Sequence, residues 1–426
     1  MRRFLSRVLP LLLSFGLIFN CTGCSTVLVL AGKARENSEA SSSVISESSA
    51  SSGVISTPVP TEDGDLRAFY TDVANAESVT VMVYMIGSDL ESEDGSATDD
   101  LLEMADAALS ENVHLVLQTG GTETWWNDVC TDDESERFVI ENGDMTLLQS
   151  LGSMNMTDAD TLSDFIRFSA ESYPADRYEL ILWDHGGGTM TGFGYDELYE
   201  DTSLTLSSLS TALYNGGVQF DFIGFDACLM ATAEVAYALD PYADYLIASE
   251  ESEPGEGWAY KNWLTMLAEN PAVPTAELGK KLADDFLEAY IFADMPTLSV
   301  LDLRYVPELY AALESYWESA YTALQSGSYG AFSQVRSNVR EFGDNEYDQV
   351  DLSDLATLTK QSLSLGTEDD VQAAVQNMVV YNVTYEKSAA GIAVYFPCLW
   401  PDYYGDTRFE MTCVGFPESY FEFRSE

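Results

Sequence analysis

Six short, nearly continuous apolar runs constrain this chain more than any other feature: Val79 to Ile86, Val113 to Gln118, Tyr178 to Trp183, Phe220 to Phe225, Tyr245 to Ala248 and Leu298 to Leu303. Each is a few residues long and partly β-branched, the pattern of a strand. Successive side chains of a strand point to opposite faces, so a run apolar on both faces must be covered on both, as in a mostly parallel sheet. Helical spacing fills the gaps. One stripe near 98–109 carries Leu101, Leu102, Ala105 and Leu109, and another near 160–172 carries Leu162, Phe165, Ile166 and Phe168. Further helices are expected at 206–214, 229–239 and 275–292. The alternation predicts an α/β chain: a three-layer αβα sandwich around a mostly parallel central sheet.

Two departures punctuate that pattern. Arg137 to Glu141 and Met145 to Leu148 flank Asn142-Gly143, which reads as an inserted β-hairpin. Beyond Leu303 the spacing turns mainly helical, at 305–325, 329–341 and 368–378, and closes with a strand from Gly391 to Phe396. No Pro/Gly/Ser linker separates this stretch, so residues 304–426 are expected as a C-terminal, mainly helical subdomain packed on a core of residues 76–303.

The 426 residues hold 71 Asp and Glu against 19 Lys and Arg, a formal net charge of −52. Such a surface repels nucleic-acid backbones and anionic lipid, and neither is expected as a partner. A hydrophobic content of 46% with 24 Tyr and 20 Phe supplies ample core, which excludes a disordered acidic chain. Only two histidines are present, His114 and His185, so a His-rich transition-metal site is not expected.

Residues 1–23 read as a secretory signal, with Arg2, Arg3 and Arg7 before the apolar stretch Leu9 to Phe19. The run Cys21-Thr22-Gly23-Cys24 resembles a bacterial lipobox, with Cys21 where Leu is usual, and implies a lipidated Cys24. Residues 24–75, Ser-rich over 36–62, are expected as a tether holding the body outside the cell, anchored to the membrane through that lipid alone. Four further cysteines, Cys130, Cys228, Cys398 and Cys413, do not make a disulfide framework. Cys398 and Cys413 could pair, and an unpaired Cys228 outside the cell has catalysis as one reason.

Reactive groups collect beyond the carboxyl ends of parallel strands. Leu180 to Trp183 is followed by Asp184-His185-Gly186-Gly187-Gly188, and Phe222 to Phe225 by Asp226-Ala227-Cys228. A histidine and a cysteine on neighbouring strand ends supply the two halves of a thiol hydrolase: a nucleophile, and a base that later returns its proton to the leaving amine. The amides of Gly186 and Cys228 are placed to hold an oxyanion. Spacing alone equally suits a buried thiol and a packed histidine.

Further motifs decide between these. Trp183 to Gly188 and Asp226-Ala227-Cys228-Leu229-Met230 resemble the two catalytic signatures of the clostripain family of cysteine peptidases, relatives of caspases, legumain and gingipains. Val81 to Met85 with Asp89-Leu90-Glu91, Ala248 to Glu251 through Pro254 to Trp258, and Gly391 to Pro397 resemble other landmarks of that family in the same order, covering about 79–400. The resemblance implies a caspase-like fold, a His185–Cys228 dyad, and Asp226 in an S1 pocket that pairs with Arg or Lys of a substrate. A carboxylate at the base of a closed pocket suits guanidinium. The alternative for Asp226 is a cap on the helix beginning near Leu229. The dyad needs no third carboxylate, and Asp184 reads as a solvated strand-end residue, with orientation of His185 as the alternative. Glu250, Glu251, Glu253 and Glu256 could line the same cleft, but such a charge run is usually a solvated loop.

One departure stands out. Several family members cut themselves after a Lys or Arg between the catalytic His and Cys, whereas Tyr178 to Tyr260 contain 15 acids and no Lys or Arg. Calcium dependence, known for one member, is not carried over: Asp89 to Asp94 and Asp99-Asp100 lack EF-hand spacing and read as surface charge, and no cofactor is expected. The expectation is thus a surface-anchored endopeptidase acting on basic peptides or proteins. The alternatives are an inactive lipoprotein that binds basic peptides and a cysteine peptidase with a non-basic P1 preference.

Overall fold

The computed structural model describes residues 66–199, 202–290, 296–343, 346–385, 388–398 and 404–425. The signal sequence, Cys24 and most of the tether lie outside them.

Along β1 (Val79–Ile86) every side chain is buried, and the alternation expected of a doubly covered strand is explicit. Met82, Tyr84 and Ile86 pack with Leu162, Phe165 and Ile166 on one face. Val81, Val83 and Met85 pack with Leu101, Met104 and Trp263 on the other. Helices Ala159–Ser172, Leu206–Gly216 and Val306–Gln325 contribute to the first layer, and Ser96–Asp106, Tyr260–Glu269 and Thr275–Ala289 to the second.

The main sheet also contains β2 (Val113–Gly120), β3 (Ser135–Glu141), β4 (Asp144–Gly152), β5 (Arg177–Trp183), β6 (Phe220–Asp226), β7 (Ala243–Ala248), β8 (Thr297–Asp302) and β11 (Val379–Thr384), in the order β11-β8-β7-β6-β5-β1-β2-β3-β4. The five central strands, β2-β1-β5-β6-β7, run parallel. Both flanks pair antiparallel, so the sheet is mixed rather than mostly parallel throughout. The hairpin forms one flank. Its turn residues Asn142 and Gly143 both have positive φ, as a tight two-residue turn requires.

The C-terminal residues are less separate than expected. β11 closes the main sheet by pairing with β8, and Gly391 to Phe396 contributes β12 (Ala393–Tyr395) to a small sheet with β10 (Gln349–Asp351) and β9 (Glu341–Phe342). One apolar cluster runs from Met82 to Phe423, across the boundary drawn at 303. The tether also ends earlier than residue 75. Arg67 reaches Asp244 Oδ1 (2.7 Å) and Asp240 Oδ1 (3.3 Å), seating the chain near the start of β7. No disulfide joins Cys130, Cys228, Cys398 and Cys413. Among the described residues no helix is long and apolar enough to cross a membrane.

Candidate active site

The carboxyl ends of β5 and β6 lie side by side, with Trp183 opposite Asp226 in the parallel register. The chain therefore delivers Asp184-His185 and Ala227-Cys228 to one edge of the sheet. Leu90, Trp183, Asp184, His185, Asp226, Ala227, Cys228, Glu253, Pro254, Gly255 and Gly257 line one cleft there. His114, on β2, instead packs against the Tyr173 ring, 5.3 Å between centroids.

The backbone around Cys228 is tightly specified. Leu229 takes φ +67°, a left-handed conformation that a leucine adopts only when its surroundings impose it. Its amide donates to Glu251 O (3.2 Å) and its side chain is fully buried. The helix expected from 229 begins at Ala233, where the Thr232 hydroxyl accepts from Val235 N–H at 3.1 Å. Asp226 is therefore not its cap. The Glu253 amide lies 3.2 Å from Cys228 Sγ and donates to it. Gly186 passes so close to the Cys228 carbonyl that any Cβ there would collide with it. The bridge between Gly186 and Phe193 is closed by Gly194 N–H to His185 O (3.0 Å) and Gly187 N–H to Gly192 O (2.9 Å), which leaves the Gly186 amide out of that ladder.

His185 is buried, and its Nε2 lies 2.6 Å from Asp89 Oδ1. Burial alone would push its pKa down. The Asp89 hydrogen bond, with the charges of Asp184, Asp89 and Cys228, outweighs burial and brings it to about 9. Asp89 correspondingly sits below the usual carboxylate range, the His185 bond overcoming partial burial. The sequence reading assigned Asp89 to surface charge. Its position after β1, the strand beside β5, was the available signal, since that places its loop against His185.

Asp184 is not a solvated strand-end residue. It is buried, accepts from Ser88 Oγ (2.7 Å) and from the Tyr195 amide, and burial pushes it up to about 7.

The floor of the cleft is acidic. Asp226 Oδ2 accepts from Trp258 N–H (3.0 Å) and Tyr260 Oη (2.8 Å). Burial raises Asp226 to about 7 despite those donors. Glu253 is also raised well above the usual carboxylate range, by burial and by the adjacent Asp226 and Cys228. Asp100, which accepts from Trp183 Nε1 at 2.6 Å, is likewise raised by burial and by Asp226. Gly257, at φ +67°, lets the loop close over this floor, for a Cβ there would lie 2.6 Å from Asp100 Oδ2. Among the described residues, no lysine or arginine lines the cleft. Glu250 and Glu251 point elsewhere: Glu250 accepts from Gly391 N–H (2.7 Å), and Glu251 pairs with Arg340 (3.0 Å).

The family model for the clostripain family matches residues 83–398, most of the described body and both strand ends of the cleft. The chain belongs to the clostripain family. Over 123 residues it is 35% identical to clostripain from Hathewaya histolytica, a match taking in 25% of this chain and 23% of clostripain. That match thus spans under a quarter of clostripain's length. Two solved structures share the fold. An inactive zymogen C11 protease from Parabacteroides distasonis has a TM-score of 0.61 at 22% identity, over 81% of this chain and 97% of its own. A secreted C11 cysteine protease from Bacteroides thetaiotaomicron, in complex with an irreversible peptide inhibitor, has a TM-score of 0.61 at 19% identity, over 79% and 99%. The clostripain-family fold thus has the large mixed sheet and flanking helices described above.

Within the described residues, no group of three or more His, Cys, Asp or Glu side chains could hold a metal ion.

Proposed function

We propose that this chain is a cysteine endopeptidase that cleaves peptide bonds after arginine or lysine. The observation that carries the reading is a single cleft holding Cys228, His185 and a buried acidic floor that, among the described residues, no lysine or arginine lines. The Cys228 thiolate attacks the scissile carbonyl carbon, and the oxyanion is held by the amides of Gly186 and Cys228. His185 then gives its proton to the leaving amine, producing an acyl-enzyme. Water, deprotonated by His185, attacks the acyl carbon and releases the thiolate. The imidazole is well suited to hold that proton, since its pKa is held near 9.

Asp226 supplies the P1 preference. A guanidinium or ammonium at the cleft floor gains a desolvated ionic contact and relieves the repulsion among Asp226, Glu253 and Asp100. Signal cleavage and lipidation at Cys24 would hold the enzyme on the outer face of a bacterial membrane. The structural neighbour described as secreted is consistent with an extracellular site of action.

The test is turnover of fluorogenic peptides carrying Arg, Lys, Asp or Leu at P1 by the full chain, beside Cys228→Ala. Cleavage after Arg and Lys alone, abolished in the variant, is expected. No turnover of any peptide would contradict the assignment, and preferential cleavage after Leu would remove the role of Asp226.

A further inference from the structure

We infer that Asp89 is a positioning residue that fixes His185 for proton transfer with Cys228, so that the site works as a triad rather than a dyad. The inference rests on the peptidase reading and deepens it.

The geometry assigns the two ring nitrogens. Nε2 is engaged by Asp89 Oδ1 at 2.6 Å, which leaves Nδ1 as the nitrogen that serves Cys228. When the Cys228 thiol gives its proton to Nδ1, the products are a thiolate and an imidazolium whose Nε2–H donates to the Asp89 carboxylate. No other reactant is required. A charge-assisted bond of this length stabilises the charged ring selectively and so favours the ion pair over thiol and neutral imidazole.

The loop carrying Asp89 is itself held firmly, which a merely fortuitous surface contact would not need. Ser88 takes φ +48°, an unfavourable conformation for a serine. It is pinned by its amide to Gly121 O (3.1 Å) and by its hydroxyl to Asp184 Oδ1 (2.7 Å). Gly87 N–H bonds Gly120 O at 2.8 Å. Two residues beyond Asp89, buried Glu91 receives Thr98 N–H (2.8 Å), Thr98 Oγ1 (2.6 Å) and Trp126 N–H (2.6 Å). Asp89 is thus bracketed by anchors on both sides, while Ser88 also ties it to the strand that carries His185.

The groups facing His185 are Asp89 from the loop after β1, Asp184 from its own strand end, Cys228 from the loop after β6, and the Tyr195 ring, 6.3 Å away between centroids. Asp184 faces the ring without the Nε2 contact and is itself tied to Ser88 and Tyr195. Removing the Asp89 charge therefore leaves His185 with a weaker hold on its proton.

The experiment is the pH dependence of Cys228 alkylation by iodoacetamide in the full chain, followed by mass spectrometry of the Cys228 peptide, which needs no substrate. Asp89→Asn is expected to slow alkylation near neutral pH by about tenfold, the equivalent of one pKa unit. It should also move the alkaline limb of the profile down in pH, as the imidazolium loses its partner. Asp89→Glu is expected to recover part of the rate. In a His185→Ala background Asp89→Asn should change nothing further, whereas a purely structural role would add its loss there too. A wild-type profile for Asp89→Asn, or an undiminished effect without His185, overturns the inference while leaving the peptidase reading intact. A Cys228 that is inert in the unmodified chain overturns both.

Discussion

Burying Asp226 beside Asp100 and Glu253 raises the free energy of the folded chain at neutral pH, because three carboxyls lie close together at a cleft that, among the described residues, no lysine or arginine lines. The sign is definite. The Asp226 pKa is raised on folding, so the folded state favours its protonated form, and that contribution is lost as pH rises from the ordinary carboxylate range through about 7. Asp226→Asn removes the ionisation while keeping the shape. Its stability relative to wild type is expected to improve by about 2–3 kcal/mol between about pH 5 and pH 8, each pKa unit being worth roughly 1.4 kcal/mol. Chemical denaturation at the two pH values measures this. The same variant should lose most turnover of Arg and Lys peptides, because stability and specificity pull oppositely on this carboxylate. A flat stability difference would mean that Asp226 is not the strained group.

Individual elements explain what could be foreseen. Strands β1, β5, β6 and β7 were legible because strands covered on both faces read as apolar runs, and with them the placement of His185 and Cys228 at adjacent ends. The β3-β4 hairpin was legible from Asn142-Gly143, whereas the antiparallel pairing of β3 with β2 and of β8 with β7 and β11 was not, since strand direction there depends on connections rather than on composition. The helix after Cys228 was placed four residues too early: Leu229 to Ala231 are apolar and helix-compatible, yet the left-handed Leu229 holds them in a loop. The cap at Thr232 is where the helix becomes possible. Thr232→Ala is expected to cost about 1 kcal/mol, through the lost bond to Val235 N–H. A thermal melt with no shift would show that tertiary packing alone fixes this start. Asp89, Asp184 and Glu253 were read as solvated for a common reason: acids in a strongly acidic chain look exposed until the fold shows which ones it buries.

At the scale of the whole molecule, the cleft and the N-terminal attachment lie at opposite ends of the parallel strands. His185 and Cys228 follow the carboxyl ends of β5 and β6, whereas Arg67 docks on Asp240 and Asp244 near the beginning of β7. Under the anchoring proposed at Cys24, the chain would enter the folded body at the end away from the cleft. Arg67→Ala would leave Asp244 buried without its cation, and a loss of up to about 3 kcal/mol is expected by denaturant titration. Cleavage of basic peptides should persist at temperatures where the variant remains folded, because the lesion is remote from the chemistry. Loss of activity in the folded variant would instead tie the attachment point to the cleft.

The central claim joins a nucleophile to an acidic pocket for a basic P1 side chain, and a covalent probe reads both together. The full chain is treated with peptidyl chloromethyl ketones carrying Arg or Leu at P1, and the adduct is located by mass spectrometry. The account predicts modification of Cys228 by the Arg probe far faster than by the Leu probe. Equal rates for the two probes, or an adduct on Cys398 or Cys413 in place of Cys228, would contradict it.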